Sequence, residues 1–448
     1  MLVIPDRLEP PIAGDDAAPV PFAKAVWILA VLTVATFIAV LDRAILALFV
    51  DPIRDEFQVS DTQIGLLYGA AFSVCFAMAS LPLGWLADRA SRRNILCIGT
   101  LVWSAMTVWS GLATSFSQLF LARVGVGIGE ACLIPTTFSM LSDVFRRDQF
   151  GRATGVLGAA TTIGSASSLL IGGVILWHMQ GASHMVLPYL GEMTTWRGVY
   201  IIIGLPGLLV ALLLLTFREP VRRQRSTARQ PGSGDHAYLP FLKANARLIA
   251  SIIGANFLLI VAATAMAAWS ATTLIRKFGI APSDVGMMLG VALIISGLSG
   301  PTIGGMITDR WARRGVFAPR MRLYYPSVAL ILAGQSVFAV APWPLLAILG
   351  LLVSVMGTGA LAVTSLAALQ EACPAQFRGR TLAISMILTN GIASALGPWA
   401  VAFVNTGLAL HPTMLAFAII GVSFPSLCLA LGVVRFALSS KVERSDGL

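Results

Sequence analysis

Apolar residues in this chain do not alternate with polar ones. They come in long runs of about twenty to thirty residues, separated by short polar or basic stretches. A helix that crosses a bilayer needs roughly 20 mainly apolar residues, so each run predicts a spanning helix. Twelve can be marked: 25–50, 62–86, 95–114, 118–142, 153–177, 198–217, 248–275, 285–307, 323–341, 345–369, 381–404 and 413–437. Between the sixth and seventh, Arg218 to Arg247 carries Arg222, Arg223, Arg225 and Arg229 among Gly and Pro, and reads as a soluble linker.

Self-similarity refines this pattern. GWLADRASRR, Gly84 to Arg93, recurs 221 positions later as GMITDRWARR, Gly305 to Arg314. The same offset pairs FQVSDTQIGLLYG, Phe57 to Gly69, with FGIAPSDVGMMLG, Phe278 to Gly290. A constant register over so many positions predicts two copies of one unit. The expected fold is an all-α polytopic membrane protein: twelve transmembrane helices in two pseudo-symmetric six-helix bundles. Its parts are a disordered cytoplasmic tail (1–24), a first bundle (25–217), a basic cytoplasmic linker (218–247), a second bundle (248–437) and a cytoplasmic tail (438–448).

Composition supports a lipid setting. Of the 448 residues 57% are apolar and 12% charged, about half the charged share of soluble domains, and mean hydropathy is +0.82. The net charge of +10 would suggest nucleic acid if it were clustered on a soluble face. Instead, with the N-terminus inside, all but six of the 31 Lys and Arg fall in the tails, the linker and the loops after helices 2, 4, 8 and 10. Cytoplasmic loops collect positive charge, so both termini are expected to be cytoplasmic, in a cell membrane such as a bacterial inner membrane. The six exceptions are Arg43, Arg54, Arg123, Arg197, Arg276 and Lys277. The first 22 residues are Pro-rich and acidic and show no cleavable leader pattern, so the first span is expected to direct insertion. The five cysteines have no metal-ligand spacing and read as small apolar residues. GVGIGE, Gly125 to Glu130, lies inside an apolar helix rather than after a strand, which argues against a phosphate loop. No metal or cofactor is expected.

Four charges stand where they are expensive: Asp42 and Arg43 in helix 1, Arg123 and Glu130 in helix 4. A charge near the bilayer centre costs about 2.5–3.5 kcal/mol or more, so such residues face a bundle interior and find partners. Arg123, Gly127 and Glu130 share one face of helix 4, and Gly127 leaves room there for a neighbour. Counting the rise per residue from the inner boundary places Asp42 at roughly 24 Å, Glu130 at roughly 21 Å and Arg123 at roughly 31 Å. Helix 1 therefore offers its charges between the two on helix 4. Pro135 should bend helix 4 just below them. The repeat supplies a control, because the matching positions in the second half are Ala263, Thr264, Leu351 and Thr358. Charges needed only to hold helices together should occur in both halves, so the asymmetry favours function. Asp42 and Glu130 are the candidates to bind and couple protons, and Arg43 and Arg123 to bind an anionic substrate.

The Gly-x-x-x-Asp-Arg turns resemble the loop signature of the major facilitator superfamily. LDRAIL, Leu41 to Leu46, and RVGVGIGEA, Arg123 to Ala131, resemble its Spinster-like branch. The resemblance implies alternating access around a central cavity, without enzyme activity. It also implies a cytoplasmic gate in which Asp88, Arg89, Arg92 and Arg93 work with Arg146, Arg147 and Arg152, mirrored by Asp309, Arg310, Arg313 and Arg314. It points to a monomeric, proton-coupled carrier of an anionic or zwitterionic amphiphile, such as a lysophospholipid or sphingoid lipid. Two alternatives stay open: a proton-linked carrier of a small organic anion of the sugar-acid type, and a passive facilitator. Antiporters carry Gly-Pro in helix 5, whereas here Gly164 precedes Ser165, so the direction of transport stays open too.

Overall fold

The computed structural model describes residues 21–179, 182–222, 235–408 and 411–445. Twelve helices in it are long and apolar enough to cross a bilayer. Spans 1 to 6 are Phe22–Leu48, Asp61–Arg89, Arg92–Leu112, Phe116–Val144, Asp148–His178 and Thr195–Leu215. Spans 7 to 12 are Ala246–Phe278, Pro282–Arg313, Pro319–Val340, Pro344–Ala372, Phe377–Gly407 and Leu415–Ser439. The expected all-α polytopic architecture holds. Residues 1–20 of the expected first tail and 223–234 of the expected linker lie outside the described residues, whereas Asp235–Ala244 is a short helix. The last helix runs to Ser445, well into the expected second tail.

Local chemistry sets the boundaries. Span 2 opens on a capping box, in which the Ser60 hydroxyl accepts from the Gln63 amide while the Gln63 side chain accepts from the Ser60 amide. Spans 3 and 4 open on Ser91 and Ser115, which accept from the amides of Asn94 and Gln118. Span 4 is broken rather than merely bent: its helix stops at Glu130 and restarts at Leu133. Pro135 has no amide hydrogen to give to Ala131, four residues back, and the break falls there. Spans 2 and 11 each contain a wide π-helical stretch, Leu67–Val74 and Ile387–Ala393. Two elements were not anticipated, a short helix at Val50–Phe57 and a hairpin of β1 (His184–Leu187) and β2 (Gly191–Thr194).

The two ends of the molecule differ. Call the end bearing the two Asp-Arg loops the basic end, and the other the far end. Toward the far end one apolar core joins both halves, including Ile45, Leu48, Trp269, Leu274 and Val401. Toward the basic end each half has its own core. Small residues let the backbones touch where the halves meet, as expected in lipid, where packing replaces a hydrophobic drive. A Cβ on Gly173 of span 5 would lie 2.6 Å from the Ser283 carbonyl of span 8. The contact continues to Thr162, which a Cβ on Gly297 would meet at 2.6 Å. Beyond it, Gly158, Gly155 and Gly151 continue span 5 with nothing within 4 Å of a Cβ. The halves are therefore closed together at the far end and parted at the basic end.

Candidate functional site

The four charges expected to cluster do so, as two crossed ion pairs between spans 1 and 4. Arg43 donates through Nε to Glu130 Oε2 at 3.0 Å and also through Nη2. Arg123 donates to Asp42 Oδ2 at 3.2 Å and to the Asp42 carbonyl at 3.2 Å. The deeper acid on span 4 thus takes the cation of span 1, and the reverse holds one step toward the far end. Neighbouring spans complete the shell: Thr107 of span 3 donates to Asp42 Oδ2 at 2.9 Å, and Arg123 donates to the Tyr200 hydroxyl of span 6. The neighbour admitted by Gly127 is span 2, since a Cβ there would lie 2.6 Å from the Phe72 carbonyl. Span 2 also places Phe72 and Phe76 under the Arg43 guanidinium, with ring centres at 4.3 and 5.4 Å.

Access is uneven across this cluster. Glu130 is fully buried, and the side chains of Asp42 and Arg123 are 5% and 3% exposed, whereas that of Arg43 is 38% exposed. Asp42 Oδ1, Arg123 Nε and Glu130 Oε1 are buried with no hydrogen-bond partner among the described residues. Of the four side chains only Arg43 faces open space. At the matching positions of the second half, Thr264 and Thr358 donate to their own helix at Ile260 and Ser354, and Leu351 is buried.

The expected basic-end gate is not assembled. Asp88, Arg89, Arg146, Arg152, Asp309, Arg310, Arg313 and Arg314 are exposed, and among the described residues none pairs with the other half. Arg146 lies 3.9 Å from Asp148, Arg89 lies over the Trp85 ring, and the Arg147 side chain lies outside those described. Arg92 occupies a different place from the one expected. It is 1% exposed and braces the first half internally, donating to Asp143 Oδ2 at 2.5 Å, Ser139 at 3.0 Å, Glu219 at 3.1 Å and the Pro220 carbonyl at 3.1 Å. Burial opposes ionisation of Glu219, but its hydrogen bonds with Ser91 and Arg92 outweigh it and hold the carboxyl below the usual range. Arg93 donates to the Phe217 carbonyl, and Arg222 caps carbonyls of Ala87, Asp88 and Ala90 at the end of span 2.

A second charged constellation, missed in the sequence, fastens the far end. Arg276 of span 7 donates to Asp51 at 2.7 Å and to Asp61 at 2.7 and 2.9 Å. Arg54 approaches the same two acids at 3.2 and 3.8 Å. Arg276 belongs to the second half and both acids to the first, so this is a bolt between halves, reinforced by Thr272 donating to the Ala47 carbonyl at 3.3 Å. One signal for it was present: Arg276 and Lys277 carry positive charge on the side where such charge is scarce.

Two six-helix bundles of membrane-spanning length, packed together at one end around crossed buried charges, define a polytopic membrane protein of the transporter type. The chain belongs to the Major Facilitator Superfamily, whose family profile matches residues 32–398. It is 29% identical to a probable L-galactonate transporter of Escherichia coli, over 64% of this chain and 61% of that one. It is 28% identical to an MFS-type efflux pump of Mycolicibacterium smegmatis, over 86% of this chain and 84% of that one. The chain thus matches less than two thirds of the galactonate relative's length. In structure it is similar to a bacterial homologue of the human lysosomal transporter Spinster in an inward-facing, unoccupied conformation. That likeness has a TM-score of 0.75 at 23% identity, covering 93% of this chain and 96% of that one, and it speaks to the fold.

Proposed function

We propose that this transporter couples proton binding at Glu130 to binding of a substrate anion at Arg43. One observation carries the proposal: the only accessible cation of the buried cluster is held by a fully buried acid. With both acids ionised the four charges cancel. A proton on Glu130 removes the counter-ion of Arg43 and leaves a guanidinium facing open space, ready for an anionic group. Asp42 and Arg123 form the second pair, with Asp42 a further proton site and Arg123 the fixed charge that senses it. Placing the basic end in the cytoplasm makes the conformation inward-facing. The charged loops, including Asp88 and Asp309, would then come together when the far-end bolt opens.

Two substrate classes fit an exposed guanidinium on phenylalanine rings. The Spinster likeness favours an amphiphile with an anionic or zwitterionic head, such as a lysophospholipid. The galactonate relative favours a sugar acid. Both are tested in vesicles reconstituted with the full chain, using D-galactonate and lysophosphatidylglycerol as probes under an imposed pH gradient. Uptake or efflux of one of them should depend on the gradient in the wild type and lose that dependence in Glu130→Gln. Unchanged pH dependence in the variant would refute the coupling role.

A further inference from the structure

A groove of about 270 Å³ runs between spans 8, 9 and 10, in the half that lacks the crossed ion pairs. Its lining includes Gly300, Ile303, Ile307, Trp311, Leu323 and Leu330. Ile303 and Leu330 are 42% and 43% exposed, so the groove is open along its mouth. That mouth lies on the outside of the bundle. Span 9 packs against spans 10 and 12 of its own half, and its free face leaves Tyr325, Leu330 and Val340 exposed. Beside the groove on span 8, Met306 is exposed as well. An apolar surface of this kind on spanning helices is one that acyl chains cover. From Trp311 to Gly300 the helical rise amounts to about 16 Å, roughly half of a hydrocarbon core about 30 Å thick. Trp311 lies two residues from the end of span 8 at the basic end, so the groove occupies the leaflet on that side.

The groove leads up to unneutralised charge. Ile303, Ile307, Arg310 and Arg314 follow at spacings of four, three and four, which keeps them on one face of span 8. On span 9, Arg322 stands one turn before Pro326, another lining residue. All three arginines are exposed, and among the described residues none has a carboxylate partner. The chain from Asp309 to Arg322 holds five arginines and one acid, and Glu371 of span 10 is already met by Arg320. Trp311 sits between the guanidiniums and the apolar wall, at the level where tryptophan anchors among headgroups. Free guanidiniums at the head of an apolar slot one leaflet deep match a phosphate that carries an acyl chain. Free phosphate would gain nothing from the slot, and a zwitterionic lipid brings a cation of its own.

We propose that this groove binds an anionic membrane phospholipid, with its phosphate on Arg310, Arg314 and Arg322 and an acyl chain along Ile303, Ile307 and Leu330. The lipid is a bound companion rather than cargo. Its site lies on the outer face of the second half, and stands whether or not Arg43 receives a substrate. The test is native mass spectrometry of the purified full chain, titrated with phosphatidylglycerol and with phosphatidylcholine of the same acyl chains. The wild type should retain the anionic lipid at least about fivefold better. Arg310→Gln, Arg314→Gln and Arg322→Gln together should abolish that preference. Removing the same charge from the first half, by Arg89→Gln, Arg146→Gln and Arg152→Gln, should leave it intact. Leu330→Trp fills the mouth without altering charge and should lower retention of phosphatidylglycerol about threefold or more. All seven positions are exposed, so the variants should fold, and added phosphatidylglycerol should raise the melting temperature of the wild type but not of the first triple variant. Equal retention of the two lipids, or an equal loss in both triple variants, reduces the site to the general attraction of a basic surface and overturns it. Undiminished retention in Leu330→Trp overturns the groove as the seat of the chain.

Discussion

The two halves of this transporter share a backbone plan and differ in what they bury. The first half holds two crossed ion pairs between spans 1 and 4, and at the matching positions the second half holds Ala263, Thr264, Leu351 and Thr358. Both threonines satisfy their hydroxyls within one turn of their own helix. The second half thus demonstrates that this fold packs without charges at mid-depth. Burying an ion pair is at best a weak source of stability, because desolvation offsets the attraction. The difference teaches that the two copies share a scaffold, while the buried charges are concentrated in one of them.

The largest way to test that contrast is to break a pair in one half and its counterpart in the other. Asp42→Ala leaves the Arg123 guanidinium buried beside Tyr200 without its counter-ion, and should destabilise the protein by about 3–5 kcal/mol in detergent melts. In the second half the position matching Asp42 is already Ala263, and Thr264→Ala, at the position matching Arg43, should stay within about 1 kcal/mol. Equal losses would mean that the charges are merely one packing solution among several. A smaller effect sharpens the contrast between the two ends. Arg276→Ala removes the bolt to Asp51 and Asp61, a loss of about 1.5–3 kcal/mol for hydrogen bonds to charged groups. The populated state should shift toward one open at the far end, read as faster labelling of a cysteine placed at Thr272. Unchanged labelling would show that the apolar core alone keeps the far end shut. Smallest of all is the response along span 5. Gly173→Ala should cost about 1–3 kcal/mol, because its methyl would meet the Ser283 carbonyl at 2.6 Å. Gly155→Ala meets nothing within 4 Å and should stabilise the helix by about 0.5–1 kcal/mol.

Much of the fold was legible because lipid imposes a length rule and a charge rule, and both can be read residue by residue. The mid-depth cluster was legible for the same reason: charges at Asp42, Arg43, Arg123 and Glu130 are too expensive to be incidental, and the helical rise fixes their heights. Which acid would take which cation was not legible, since that depends on helix rotation. Thr107 and Tyr200 join the shell through the packing of spans 3 and 6, and no spacing announces it. Arg92 was read with the gate because it belongs to the repeated loop. Its burial depends on Glu219, on the chain beyond span 6, whose approach no local pattern encodes. The far-end bolt escaped because charges near a helix end carry little penalty: Arg276 stood out only by lying on the side poor in Lys and Arg, and nothing in the sequence ties it to Asp51 or Asp61.

The crossed pairs link two helices of one bundle, so any rocking of the bundles would carry them as a single piece. Such a movement would stretch no ion pair among them. If Glu130 takes up a proton, as proposed above, the signal would have to leave by another messenger, and span 2 is placed to be one. Arg43 rests on Phe72 and Phe76, and this stretch of span 2 abuts span 11, where a Cβ on Gly391 would lie 2.6 Å from Ala77. A guanidinium released from its acid would shift its weight on those two rings, and span 11 in the opposite bundle would be the first to feel it.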